Sequence, residues 1–177
     1  IELPNEESAK RVVDILETNN YTIQSISKKD VKRNPAKPFT TSTLQQEAAK
    51  KLYWTANRTM RVAQQLYEGL EIDGENVGLI TYMRTDSTRI SASAITDART
   101  YISKTYDASY LGFLKKEPSK KNTIQDAHEA IRPVSTAYPP ASIKHELPED
   151  MYKLYKLIWE RFIASQMAPA QYDRTQI

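Results

Sequence analysis

No cysteine occurs in the 177 residues. Disulfides and cysteine-ligated zinc are therefore excluded, and a reducing compartment is compatible with the chain. Glycine is scarce, at four residues. That argues against a β-rich fold with many tight turns and against a glycine-lined nucleotide site. The only histidines are His128 and His145, and the second lies in a loop context, so no metal site is expected from imidazoles. No apolar run is long enough to span a bilayer, and no signal-peptide pattern opens the chain. Charge of neither sign dominates: 25 Lys and Arg stand against 22 Asp and Glu, a net +3. By itself that is a faint pointer towards nucleic acid. Hydrophobic residues at 40% and charged residues at 27% fit a soluble protein with a modest core.

The pattern along the chain is mainly helical. Asn5 caps a first helix carrying Ala9, Val12, Val13 and Leu16 at helical spacing, and Asn19-Asn20 stops it. Residues 21–27 are rich in strand formers, and the basic, proline-flanked stretch 28–37 reads as a boundary. Ser42-Thr43-Leu44-Gln45 fits a capping box for a helix with Leu44, Ala48 and Leu52 on one face. Asn57 caps the next helix, which ends at Gly69. This pair reads either as a helical hairpin or as a helix-turn-helix.

Glu71 to Asn76 forms a turn around Asp73-Gly74, and its alternating acids read as a solvated turn rather than a Mg²⁺ site. The apolar run 77–82 predicts a short buried strand ending at Tyr82. Ser91 caps a helix with Ile95, Ala98, Tyr101 and Ile102 on its apolar side. Residues 112–124 predict a loop whose Lys115, Lys116, Lys120 and Lys121 are weak candidates for a nucleic-acid backbone. Asp126 to Ile131 predicts one helical turn, closed by Pro133. Pro148 opens the longest helix, with a broad stripe of Met151, Leu154, Tyr155, Ile158, Trp159 and Phe162, and Pro169 ends it. The chain starts at Ile1, and its last stretch, 171–177, predicts a strand. Strands at both ends of a helical body lead to the expectation of a segment cut from a longer chain.

The densest chemical segment is Tyr82-Met83-Arg84-Thr85-Asp86-Ser87-Thr88-Arg89. A phenol ionises near pH ~10, so attack on a phosphodiester needs a proton acceptor or a field that favours phenolate. It also needs cations at the phosphate oxygens, a task that suits a guanidinium. Arg84 shares the face of Tyr82 if the strand continues. Asp86 can orient Arg84, while Thr85, Ser87 and Thr88 can donate to phosphates. A packing tyrosine beside a local ion pair fits the same residues, since tyrosine occurs eleven times. Residue chemistry alone leaves both readings open. The second cluster is Asp126-Ala127-His128-Glu129-Ala130-Ile131-Arg132-Pro133. His128 can donate to a phosphate oxygen or shuttle a proton, Asp126 or Glu129 can fix its tautomer, and Arg132 can bind phosphate. Taken alone, the cluster reads better as a surface helix turn with a local Glu–Arg pair.

Together the two clusters carry a resemblance. The run from Gly78 to Ser91 resembles the active-site tyrosine motif of bacterial DNA topoisomerase I, of the type IA family. The run from Asp126 to Pro133 resembles that family's downstream histidine motif. Pro38-Phe39-Thr40-Thr41-Ser42-Thr43-Leu44-Gln45-Gln46-Glu47-Ala48 is similar to the stretch that leads into the tyrosine-bearing domain. The three lie in the family's order and approximate spacing, and the resemblance covers essentially residues 36–177, with the first 35 matching in character only. Met83 follows the tyrosine, where the topoisomerase III branch typically has proline; reverse gyrase stays open on this motif.

The resemblance implies an enzyme that relaxes negatively supercoiled DNA without ATP. It cuts one strand through a 5′-phosphotyrosyl link, passes the other strand and reseals. Tyr82 matches the nucleophile, Arg84 the arginine beside it, and His128 the histidine at the scissile phosphate. Asp86, Ser87, Arg89 and Arg132 are expected DNA contacts. The implied fold is mainly α: a helical lid over residues 37–165, with 1–36 and 166–177 as strand and helix pieces of a β-rich arch. Mg²⁺ ligands are expected in another domain and none in this chain, so the chain alone is expected to be inactive. The expected setting is the bacterial cytoplasm, at the nucleoid, with DNA and the remaining domains as partners and no membrane. Two other readings compete. One is a non-catalytic DNA-binding module on residues 42–69. The other is a helical scaffold that binds a protein through the stripe on 149–168.

Overall fold

The structure is a computed structural model that describes residues 2–72, 74–112 and 128–177. It divides into two compact units, Ile1–Lys32 with Gln171–Ile177, and Arg33–Ala170. The smaller unit holds α1 (Glu6–Thr18) and most of β1 (Ser27–Arg33) and β4 (Ala170–Gln176), which form a two-stranded sheet. Asn5 caps α1 by accepting from the Ser8 amide at 2.9 Å, and Glu6 and Glu7 sit at the positive end of the helix dipole. None of the α1 side chains is buried.

The larger unit is a helical body built from α2 (Thr41–Leu52), α3 (Ala56–Glu68), α4 (Ala92–Thr105) and α5 (Glu149–Ser165). A short hairpin of β2 (Leu70–Ile72) and β3 (Glu75–Val77) follows α3, and a 3-10 turn (Ala108–Tyr110) follows α4. α2, α3 and α5 pack on one another. The stripe on α5 faces inward: Met151, Leu154, Tyr155, Leu157, Ile158, Trp159, Phe162 and Ile163 are all buried. Each such side chain contributes about 1.5–3 kcal/mol. The stripe is consumed by the unit's own core, which removes the reading of α5 as a protein-binding face. Glu47 and Phe39 both engage Arg161 of α5, the carboxylate at 3.3 Å and the ring 4.4 Å from the guanidinium carbon.

Mainly helical architecture, the apolar faces and the caps at Asn5 and Ser91 agree with the sequence pattern. Other boundaries move. The predicted strand at 21–27 lies at Ser27–Arg33 instead, inside the expected boundary stretch. Sheet pairing, not apolar alternation, defines it. The cap of α2 is Thr40, whose hydroxyl accepts from Thr43 N while Thr43 Oγ1 accepts from Thr40 N, so the box starts two residues before Ser42. Thr55, not Asn57, caps α3. α5 ends at Ser165, short of Pro169.

The run 77–82 is a strand only through Val77; beyond it a single antiparallel bridge joins Ile80 to Pro133. Residues 128–131 are extended, not helical, because Ile131 bridges Phe39 and long-range pairing overrides local preference. Asp126 and the lysines 115, 116, 120 and 121 lie outside the described residues, as does Asp73. In the hairpin register Glu71 lies opposite Asn76 and Glu75 opposite Ile72, so the two acids point to opposite faces. Among the described residues no group of three His, Cys, Asp or Glu is placed to hold a metal.

Candidate active site

Three stretches far apart in the chain meet around Tyr82. The stretch before it is held by residues 130–134: Thr81 N donates to Arg132 O at 2.9 Å, and Val134 N donates to Leu79 O at 3.0 Å. The Thr81 hydroxyl works in both directions, donating to Ala130 O at 2.7 Å and accepting from Arg132 N at 3.0 Å. The stretch after Tyr82 is held by Thr41, at the start of α2. Its hydroxyl donates to Met83 O at 2.7 Å and accepts from Thr85 N at 2.9 Å, while Thr41 N donates to Thr85 O at 2.9 Å. The third side closes where Ile131 N donates to Phe39 O and Ala130 N to Arg89 O, both at 2.8 Å. The stretches carrying Phe39, Tyr82 and His128 are therefore laced together by main-chain and threonine hydrogen bonds.

Side-chain direction alternates through the segment. Met83 and Thr85 are buried, while Tyr82, Arg84 and Asp86 are exposed. The segment bends at Met83, and both the phenol and the Arg84 guanidinium reach solvent on either side of that bend. Tyr82 is 44% exposed and stands edge-on to Tyr67 of α3, with ring centroids 5.3 Å apart and planes at 68°. Tyr67 is the supporting residue that sequence reasoning missed, because nothing local links it to a residue 15 positions on. Gly78 allows the close approach: a Cβ there would lie 2.9 Å from Tyr67 O.

The expected site residues fall into two groups. Arg84, Asp86, Arg89 and His128 are exposed, and Ser87 is half-buried. Among the described residues Arg84, Arg89 and His128 have no side-chain partner, so their donors are free for a ligand. No ion pair joins Asp86 to Arg84, contrary to the expected orienting role. Both point into solvent, where such a pair is worth little.

Arg132 and Glu129 form the second group. Their side chains are 11% and 24% exposed. The guanidinium donates to Glu129 Oε2 from Nε at 2.8 Å and again from Nη2, to Pro133 O at 2.8 Å, and to Ser91 Oγ at 3.4 Å. Arg132 thus braces the 128–133 stretch against the cap of α4, and Glu129 is engaged there rather than on His128. The Ser87 hydroxyl accepts from Arg89 N at 3.1 Å and so shapes the loop.

Comparisons with known proteins show the family. A family model described as DNA topoisomerase matches residues 2–177. Full-length topoisomerase I from Thermotoga maritima is 41% identical in sequence and superposes with a TM-score of 0.81. The match covers 94% of this chain and 26% of the Thermotoga chain, so this chain spans about a quarter of that protein's length. With the family model covering all but one residue, the chain belongs to the bacterial DNA topoisomerase family.

Proposed function

We propose that this chain is the part of a type IA DNA topoisomerase that carries the nucleophile, Tyr82, in an enzyme that relaxes negatively supercoiled DNA. The observation that carries the reading is the convergence of three stretches on an exposed tyrosine, with an exposed, unpaired arginine two residues on. In the cleavage step the Tyr82 Oη–P bond forms and the P–O3′ bond breaks. The phenol gives up a proton and the departing O3′ takes one, so the step is balanced. The phosphotyrosyl ester keeps the energy of the phosphodiester, and resealing needs no ATP. Arg84 steadies the charge that builds on the phosphate oxygens, and His128 donates to the same phosphate. Asp86, Ser87 and Arg89 line the path of the strand. Arg132 acts mainly through the 128–133 stretch it braces.

Mg²⁺, when bound in the complete enzyme, supplies charge neutralisation; its ligands are proposed to lie outside this chain. Residues 37–165 are read as the helical lid, and 1–36 and 166–177 as pieces of the arch. The remaining domains of the same protein and single-stranded DNA are its partners, in the bacterial cytoplasm at the nucleoid.

The test is adduct trapping with the complete protein. Denaturation during cleavage should leave DNA on one peptide, with Tyr82 the modified residue by mass spectrometry. Tyr82→Phe should abolish the adduct, and Arg84→Ala should slow cleavage by about 10²-fold with the melting temperature unchanged. An adduct that survives Tyr82→Phe sinks the proposal. DNA binding with no adduct in the wild type would favour the helix-turn-helix reading of α2 and α3 instead.

A further inference from the structure

One aromatic ring stands clear of the protein at the corner between α2 and α3. Tyr53 is 90% exposed, and among the described residues its side chain has no ring contact or hydrogen bond. Its backbone lies in the left-handed region, at φ 58° and ψ 36°, the one non-glycine residue with positive φ among those described. The corner is a helix C-terminus in which Trp54 N donates back to Ala48 O at 3.4 Å. Glycine is the residue such a corner favours, since a Cβ is crowded there. The chain instead places a large ring on a strained backbone and sends it into water.

The corner beneath is firmly anchored. Trp54 turns inward, 6% exposed, with the Arg58 guanidinium carbon 4.7 Å from its ring centroid. Arg58 is tied in turn to Asp150 of α5 at 2.8 Å. From Glu47 to Arg61 the chain carries four basic residues, Lys50, Lys51, Arg58 and Arg61, against the one acid Glu47. Lys51 pairs with Glu47 at 3.0 Å, while Lys50 and Arg61 are exposed and make no ion pair among the described residues. A protein partner would call for apolar neighbours around the ring. Of the exposed residues beside it in sequence, Lys50, Lys51, Thr55 and Asn57 are polar and Ala49 and Ala56 are small, and no other large apolar side chain is exposed there. A flat exposed ring in a stretch with an excess of basic residues matches an unpaired base and its phosphates.

α3 links this corner to the candidate active site. Eleven residues separate Ala56 from Tyr67, or about 17 Å at 1.5 Å per residue, and Tyr67 touches Tyr82 at the far end. We infer that Tyr53 is a stacking platform for an unpaired base of the DNA strand that Tyr82 cuts, roughly five stacked nucleotides from the cut at about 3.4 Å each. The inference rests on the DNA-cleaving reading and extends it to a second contact on the same strand.

The test uses the full 177-residue chain and a single-stranded oligonucleotide of about 15 nucleotides carrying 2-aminopurine. Tyr53→Gly relieves the strained backbone, so its melting temperature should stay level or rise. Its DNA affinity should nevertheless fall by about fivefold or more, the lower end of what one stacked base is worth. The fluorescence quenching of the reporter base on binding should be lost in Tyr53→Gly and restored in Tyr53→Trp. Unchanged affinity and quenching in Tyr53→Gly would overturn the platform while leaving the DNA reading in place. A wild-type chain that binds no single-stranded DNA would overturn both. Self-association removed by Tyr53→Gly, with DNA affinity untouched, would make the ring a protein contact and overturn the platform too.

Discussion

Tyr155 carries its phenol into the core, where the hydroxyl donates to Tyr138 O at 2.8 Å. Burial, helped by the neighbouring Tyr138, pushes the group well above its ordinary value of 10.0. The unfolded chain therefore loses this proton first as pH rises. The contribution to stability is complete below about pH 10 and is lost at higher pH, where the unfolded state binds fewer protons than the folded one. Urea unfolding should show a falling free energy above about pH 10, and Tyr155→Phe should flatten that limb. At neutral pH the same variant should cost about 1 kcal/mol for the lost hydrogen bond. An alkaline limb identical in both proteins would show that Tyr155 does not control it. At this scale the sequence was most legible where side-chain direction follows local geometry. The i, i+2 spacing predicts a shared side for Tyr82 and Arg84 only in a continuing strand; the strand stops at Val77 and the chain bends at Met83, but both side chains are exposed. The Arg132 brace was hidden because Ser91, one of its acceptors, lies 41 residues away.

Helices with a side-chain cap, α1 and α4, and the one with a broad apolar face, α5, could be read directly. Where Thr40, Thr41, Ser42 and Thr43 stand in a row, four hydroxyls compete for one cap, and local chemistry does not choose among them. β1 reads Ser-Lys-Lys-Asp-Val-Lys-Arg, with no alternation to announce it. The extended stretch at 128–133 owes its shape to Thr81 and Phe39, about 50 and 90 residues earlier. Thr81→Val tests that dependence. It preserves the volume but removes a hydroxyl that both donates and accepts. A loss of about 1–3 kcal/mol is expected in thermal unfolding, because Arg132 N–H is left without its acceptor. In the complete protein the same variant should slow DNA cleavage, while Thr81→Ser keeps both. Normal cleavage by a destabilised Thr81→Val protein would separate this clamp from the chemistry.

The chain spans 26% of the Thermotoga topoisomerase I it matches. Its smaller unit leaves Val13, Ile15, Leu16, Tyr21, Ile23, Ile26 and Tyr172 exposed, more apolar surface than scattered side chains usually show. If the metal-binding carboxylates belong to another part of the protein, the 177-residue chain should not relax supercoiled plasmid, with or without Mg²⁺. Full relaxation in an agarose-gel assay would refute that division of labour.

The lacing that gathers the candidate site runs largely through main-chain atoms: Phe39 with Ile131, Leu79 with Val134, Thr81 with Arg132, Arg89 with Ala130. Every amino acid owns such atoms. The outward side chains at 84, 86 and 89 bear none of that weight. On the proposed function, exchanging those three would retune the grip on DNA without loosening the frame around Tyr82.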